Sequence, residues 1–331
     1  MQLIRTCEGP VATIPGGIFD QGGLDPAALV AIDALLAQQG LSEADFQPHD
    51  GSFSPVGSPY IFLEGPGDGA IIGGEDANFF VANGGSNYLD GGGGADNIFA
   101  GDGQDIVLGG AGDDGVFGGE GFDIVLGGEG GDFAQGGNGG DFVDGNQGDD
   151  SVNGNAGDDF VSGGQGNDMV NGGQGADVAV GGQGDDSVSG DLGDDLVAGG
   201  TGDDTVSGGA GDDMVYGGQG DDAVEGGEGN DVLSGDRGND SLAGGAGDDV
   251  FVFKNDGGAD VIVDFASGDV LQIQGGINGL EIGAPSDLLA LISSDSLGNA
   301  VISLGDGNSV TLMNLSEADL RARIDSVVVI V

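Results

Sequence analysis

Eighteen aspartates recur every nine residues without a slip: Asp96, Asp105, Asp114, Asp123, Asp132, Asp141, Asp150, Asp159, Asp168, Asp177, Asp186, Asp195, Asp204, Asp213, Asp222, Asp231, Asp240 and Asp249. A register held this strictly requires one small structural unit stacked on copies of itself. With the aspartate at position 6, each unit reads GGxGxDxUx, where U is apolar, as in residues 163–171, GGQGNDMVN. Position 4 is Gly in all eighteen units, and position 1 is Gly in all but one, where Ala100 stands. Position 2 is Gly in fourteen, and its exceptions are Asn146, Asn155, Asp191 and Asp236. Asn and Asp are the side chains that best tolerate left-handed backbone angles, so position 2 is expected to have positive φ. Position 8 carries Val107, Val116, Val125 and their equivalents, with only Ala134 and Ala179 undersized. One β-branched residue between two outward neighbours predicts a three-residue strand over positions 7 to 9.

Turn plus short strand closes a coil only when two units make one circuit. The predicted fold is all-β: a right-handed parallel β-roll of 18 residues per coil, with strands on two sheets and small α/β caps at both ends. Degenerate units extend the frame back to residue 64, with Gly69, Asn78 and Asn87 at position 6. The expected domains are an N-terminal segment 1–63, the roll 64–252 and a C-terminal cap 253–331. At ~4.8 Å between strands the roll would be about 50 Å long.

The repeat resembles the calcium-binding nonapeptide of RTX, or hemolysin-type, proteins. That resemblance covers most of the chain and implies a calcium-filled roll exported through a type I exporter. The residues argue for the same ion. Net charge is -53, and Gly plus Pro make up 86 of 331 residues, a composition that without periodicity reads as disorder. Stacking brings position-6 aspartates of alternate units about 4.8 Å apart, where each pair repels by roughly 0.9 kcal/mol even at water's dielectric. Two ladders of nine accumulate on the order of 10 kcal/mol, comparable to the stability of a whole domain. A cation between the rungs is required. The donors are carboxylate and backbone carbonyl oxygens, with one Cys and one His in the chain, which suits Ca²⁺ over softer metals and over the tight octahedron of Mg²⁺. The expectation is about 16 calcium ions, held by the eighteen aspartates named above. Position 5 holds Asp in only nine units, so its side chain is not an obligatory ligand.

Outside the roll, Asp25, Pro26, an apolar run to Ala37 and Gly40 predict a helix near 26–39. Residues 258–273, GADVIVDFASGDVLQI, resemble the segment that closes the roll in serralysin-type proteins. A short helix from Ser286 to Ile292, strands at 300–303 and 309–312, and a helix after Ser316 are expected to complete the cap. The N-terminus lacks the pattern of a cleaved signal peptide, and no apolar run reaches membrane-spanning length. The tail from Asp325, DSVVVIV, is similar to the uncleaved C-terminal signal of type I substrates, which implies an extracellular protein of a Gram-negative bacterium.

No catalytic constellation emerges. HExxH and GxSxG are absent, His49 is the single histidine and Cys7 the single cysteine, so neither a zinc protease nor a disulfide framework is expected. Gly110, Gly112 and Gly115 fit GxGxxG formally, but they belong to a roll unit with no helix expected after it. Five Lys plus Arg against 58 Asp plus Glu exclude nucleic acid and anionic lipid as partners.

One sheet is distinctive. Its outward positions 7 and 9 include Ile106, Leu108, Ile124, Leu126, Phe142, Phe160, Val178, Val180, Leu196, Met214, Tyr216 and Val232, and fifteen of its eighteen such residues are apolar against six on the opposite sheet. An apolar stripe of that length needs a cover, so it is expected to meet a second copy, another protein or the chain's own N-terminal segment. The sequence thus reads as a secreted, non-enzymatic, calcium-folded RTX roll that binds or assembles through this face. The alternative is a secreted effector whose activity lies in residues 1–63, with the roll as its export and folding module.

Overall fold

A computed structural model describes residues 61–63 and 67–331. The helix expected over 26–39, Cys7 and His49 lie outside the described residues. The chain divides into two compact units, Met1–Gln165 and Gly166–Val331. Both are parallel β-solenoids with strands alternating between two sheets.

In the first unit one sheet runs through Ile61–Leu63, Phe79–Val81, Asn97–Asp102, Gly115–Glu120, Phe133–Asn138 and Ser151–Ala156. The other runs through Gly69–Gly74, Asn87–Gly93, Ile106–Ala111, Ile124–Glu129, Phe142–Gln147 and Phe160–Gln165. Pairing is parallel with an 18-residue register, as in Ile106↔Ile124 and Phe142↔Phe160. The second unit keeps that register, with Val178↔Leu196 and Ser187↔Thr205. It then lengthens to 20 residues at Val250↔Val270 and Ser241↔Val261.

From Asn97–Asp102 through Ser241–Ala246 the strands are six residues long, not three. Pairing continues across position 1 to positions 2 and 3, as in Asp144↔Ser162, Asn146↔Gly164 and Gln147↔Gln165. Alternation therefore turns two positions inward, for example Val170 and Gly172 in Met169–Gln174. The core is a column of position-8 residues, Val107, Val125, Val143, Val197 and Val215 among them, all fully buried. One valine per nine residues is a thin core, each worth about 1.5–3 kcal/mol on burial, so the chemistry of the turns decides whether the coil holds.

That chemistry follows the glycine pattern. Position 2 is left-handed throughout, and the four non-glycines fall at φ 74, 77, 72 and 64 for Asn146, Asn155, Asp191 and Asp236. Position 4 has φ between 96 at Gly94 and 154 at Gly103, beyond the range L side chains adopt readily. A Cβ on Gly211 would stand 1.7 Å from the carbonyl oxygen of Gly193 in the preceding coil. Only Gly lets two coils stack here, which accounts for its invariance across the eighteen units.

The C-terminal residues close both sheets. Ala259–Ile262 pairs in parallel with Asn308–Leu312, which forms an antiparallel ladder with Ala300–Gly305, and that strand pairs with Ile292–Ser294. Where a helix from Ser286 to Ile292 was expected there is a 3-10 turn, Pro285–Ala290, followed directly by the Ile292–Ser294 strand. Asp287 caps that turn by accepting from the amides of Gly283 and Ala284 at 3.0 Å each. Helix α1, Glu317–Val327, starts at Ser316, whose hydroxyl accepts from the Asp319 amide at 3.2 Å. The terminal residues Val328–Ile330 form a strand paired with Val270–Ile273. Among the described residues, no helix is long and apolar enough to cross a membrane.

The outward positions 7 and 9 are not exposed alike, and several in the first unit are buried. Ile106 and Ile124 are 0% exposed and Phe142 1%, and Leu126 is buried with them. Leu108 and Phe160 are half-buried. In the second unit Val178, Val180, Leu196, Tyr216 and Val232 are half-buried and Met214 is 46% exposed.

Candidate calcium-binding ladders

All eighteen position-6 aspartates point into the coil and are between 0 and 4% exposed. Each sits at the turn where a left-handed position 4 hands the chain to the next strand. Its carboxylate uses its two oxygens differently. Oδ1 accepts the backbone amide of the aspartate one coil earlier: Asp96 N donates to Asp114 Oδ1 at 2.7 Å and Asp114 N to Asp132 Oδ1 at 2.8 Å. In the second unit Asp186 N donates to Asp204 Oδ1 at 2.8 Å and Asp204 N to Asp222 Oδ1 at 2.9 Å. This amide-to-carboxylate chain supports the ladder from within, and nothing in the nonapeptide pattern announces it.

Oδ2 is different. In Asp96, Asp105, Asp114, Asp123, Asp132 and Asp141, and again from Asp186 to Asp240, it is buried and accepts no hydrogen bond. A buried carboxylate oxygen without a donor is costly. Burial pushes the Asp123 carboxyl up to about 8, with Asp105 adding to the shift, and those of Asp105, Asp132, Asp141 and Asp222 to about 7, against the opposing pull of the amide on Oδ1. Asp114, Asp204, Asp213, Asp240 and Asp249 rise to about 6 for the same reason.

The first glycine of each unit makes room for that oxygen. A Cβ on Gly109 would lie 2.6 Å from Asp114 Oδ2 and 2.4 Å from the carbonyl oxygen of Gly127, one coil on. On Gly181 the corresponding distances, to Asp186 Oδ2 and Gly199 O, are both 2.5 Å. The carboxylate and carbonyl oxygens are therefore at most about 5 Å apart across a space that glycine leaves open. No three His, Cys, Asp or Glu side chains converge among the described residues. An ion here would take fewer than three carboxylates and otherwise backbone oxygens, a hard, oxygen-only set that fits Ca²⁺.

Position 5 has another job. Asp185 Oδ1 accepts the Asp203 amide at 2.9 Å, and Asp203 Oδ1 accepts the Asp221 amide at 2.8 Å, both exposed. These side chains staple successive coils from outside, running opposite to the buried ladder.

The ladders also extend beyond the eighteen. Asp240 N donates to Asp260 Oδ1 at 3.1 Å and Asp249 N to Asp269 Oδ1 at 3.3 Å, and both new carboxylates are buried. Burial pushes Asp260 up to about 8. The two-residue insertion after residue 252 hides them from a strict nine-residue frame, yet Asp260 and Asp269 are nine apart and keep the spacing to Ile262 and Leu271. At the other end Asn78 and Asn87 occupy the same place, and Asn87 donates its Nδ2 to the Gly85 carbonyl at 3.0 Å. The glycines of the GxGxxG match lie in the roll, and Gly115 opens the strand Gly115–Glu120.

Stacked turns, each presenting a buried carboxylate oxygen to a carbonyl of the next coil, define a cation-binding β-roll. The model of the RTX calcium-binding nonapeptide repeat matches residues 65–98, 72–107, 90–125, 126–161, 162–197, 189–224 and 225–254. That is more than half of the sequence, and the chain belongs to this family, whose repeats bind calcium. Among solved structures it is similar to the extracellular lipase LipA from Serratia marcescens, at 16% identity and a TM-score of 0.26. That match covers 77% of this chain and 45% of the lipase, so the chain spans less than half of that protein's length. Comparison with curated proteins finds no match.

Proposed function

We propose that this chain is a secreted protein that folds when extracellular calcium fills the two aspartate ladders, and that it then acts by binding and assembly, not catalysis. The observation that carries the reading is the column of buried Oδ2 atoms without a donor, in Asp96 to Asp141 and Asp186 to Asp240. At neutral pH these carboxylates need a counter-charge, and the stacked turns offer oxygen donors for one. The eighteen aspartates of the repeat, joined by Asp260 and Asp269, are the residues assigned to hold the ions. When bound, calcium supplies the positive charge that lets the rungs stay ionised and stacked. Inside a cell, where free calcium is scarce, the chain stays open and passes through a type I exporter.

The tail from Asp325 is then read before it folds, because in the finished roll Val328 is buried and its strand is paired. Removing residues 325–331 should stop release through such an exporter, and undiminished release would contradict the assignment.

The working surface is the apolar face of the second unit, where Leu196 and Tyr216 are half-buried and Met214 is exposed. A second copy, paired about a twofold axis, is the simplest closed arrangement. Sedimentation should show calcium-dependent dimers that Leu196→Asp abolishes while Thr205→Asp, on the opposite sheet, leaves them intact. A wild-type chain that stays monomeric at high concentration in calcium would refute this.

A further inference from the structure

Each ladder is a row of cells, a cell being the space between Oδ2 of one aspartate and the position-1 carbonyl one coil on, and in the first unit one cell is built differently. A Cβ on Gly118 would lie 2.5 Å from Asp123 Oδ2 and 2.6 Å from the carbonyl oxygen of Gly136, and one on Gly91 would lie closer still to Asp96 Oδ2 and Gly109 O. A non-bonded carbon needs about 3.5 Å. In the unit of Asp105 the residue at this position is Ala100, which carries that carbon. Its strand, Asn97–Asp102, pairs in the ordinary 18-residue register with Gly115–Glu120, Phe99 to Phe117 and Gly101 to Gly119, so Ala100 stands level with Gly118. Ala100 and Asp105 are both 0% exposed, which keeps the methyl inside the coil beside the carboxylate. The coil before repeats the arrangement, with Ala82 at position 1, 3% exposed, and Asn87 at position 6, 1% exposed.

We infer that Ala100 closes the cell of Asp105 to calcium, so that on this edge of the first unit the column of ions begins at Asp123. The inference rests on the calcium reading above and removes one rung from it. Calcium takes about six to eight oxygens at roughly 2.3–2.6 Å, and here a methyl fills the space between Asp105 Oδ2 and the Gly118 carbonyl without bringing a donor. Asp105 keeps its other contact, because Oδ1 accepts the Asn87 amide at 2.7 Å. Standing first in a ladder does not account for the difference. Asp96 is the first aspartate on the other edge and likewise accepts the amide of an asparagine rung, Asn78, yet its unit has Gly91 at position 1. The core supplies what the ion does not. Position 8 in these coils holds Phe80, Leu89 and Ile98, each 0% exposed, where smaller valines follow from Val107 onward. Larger apolar side chains bury more surface per coil, so packing holds this end of the roll where a cell stays empty.

Native mass spectrometry of the full chain at saturating calcium counts the bound ions, and circular dichroism verifies the fold of each variant. Ala100→Gly should hold one ion more than the wild-type chain, and adding Asp105→Asn to Ala100→Gly should take that ion away again. Gly91→Ala, which puts the same methyl into the cell of Asp96, should hold one ion fewer than wild type. Glycine is the rule at this position, so Ala100→Gly keeps the roll intact and decides the question even if Gly91→Ala fails to fold. An unchanged count in Ala100→Gly, or a gained ion that persists when Asp105→Asn is added, would overturn the inference while leaving the calcium ladders standing. A wild-type chain that binds no calcium would overturn both.

Discussion

Asp204→Asn should change sign with calcium. Asp204 Oδ1 accepts the Asp186 amide at 2.8 Å, and a carboxamide oxygen keeps that bond. Oδ2 has no donor and is buried, and burial lifts the carboxyl from 3.8 to about 6. In the metal-free chain Asn removes a desolvated charge and its repulsion with Asp186, and it supplies an N–H to the oxygen-lined space. Asn87 shows the donor half of this arrangement, with Nδ2 on the carbonyl of Gly85 at 3.0 Å, although its own Oδ1 is buried without a partner. After discount for solvent screening, the gain to the metal-free fold is on the order of 1 kcal/mol. In calcium the same change deletes a charged donor of a site completed by backbone carbonyls. The calcium midpoint should therefore rise at least tenfold, about 1.4 kcal/mol. Denaturant melts in chelator at pH 5, where protonation favours the metal-free roll, and calcium titrations at neutral pH followed by circular dichroism measure the two effects separately. If Asp204→Asn destabilises the metal-free chain as well, Oδ2 has a favourable partner without calcium, and the assignment of the ladder as a cation site fails.

Acid should partly replace calcium. The folded-state carboxyls of Asp105, Asp123, Asp141 and Asp222 stand near 7 to 8, above their unfolded values, so the metal-free roll binds more protons than the open chain. Its stability is greatest below about pH 4 and is lost as pH rises through about 6 to 8; in chelator, β structure that fails to increase between pH 8 and pH 5 would contradict this. Gly211→Ala at position 4 should destabilise the calcium-loaded roll by about 3 kcal/mol or more, because its Cβ would stand 1.7 Å from Gly193 O at φ 144. Gly209→Asn at position 2 should cost far less, as Asn146 and Asn155 hold that position at φ 74 and 77, and comparable thermal shifts for the two variants would refute the distinction.

The fold was legible because the repeat is a backbone instruction. Asn146, Asn155, Asp191 and Asp236 marked the left-handed position before any coordinates, and the valine at position 8 marked the inward face. Strand length was not legible. Position 1 is inward because alternation continues past the valine, and its glycine reads as flexibility when it is in fact space for the Asp oxygen. The site was legible as a set of residues but not as geometry. Charge repulsion alone showed that the ladder needs a cation, whereas the Oδ1 bond to the preceding coil depends on a stacking offset that no single unit encodes. Asp260 and Asp269 were hidden by a two-residue insertion. The outward apolar stripe was visible, but its division into a buried first-unit patch and an open second-unit face depends on what packs across it, and periodicity carries no information about that.

Far-ultraviolet circular dichroism of the full chain at neutral pH, titrated with calcium from excess chelator, tests the central claim most directly. With the buried carboxylates of both ladders uncompensated, the chain in chelator should show little β structure and gain it cooperatively as calcium is added. The same β content in excess chelator as in saturating calcium would show that the ladders stack without a cation, and the account would be wrong.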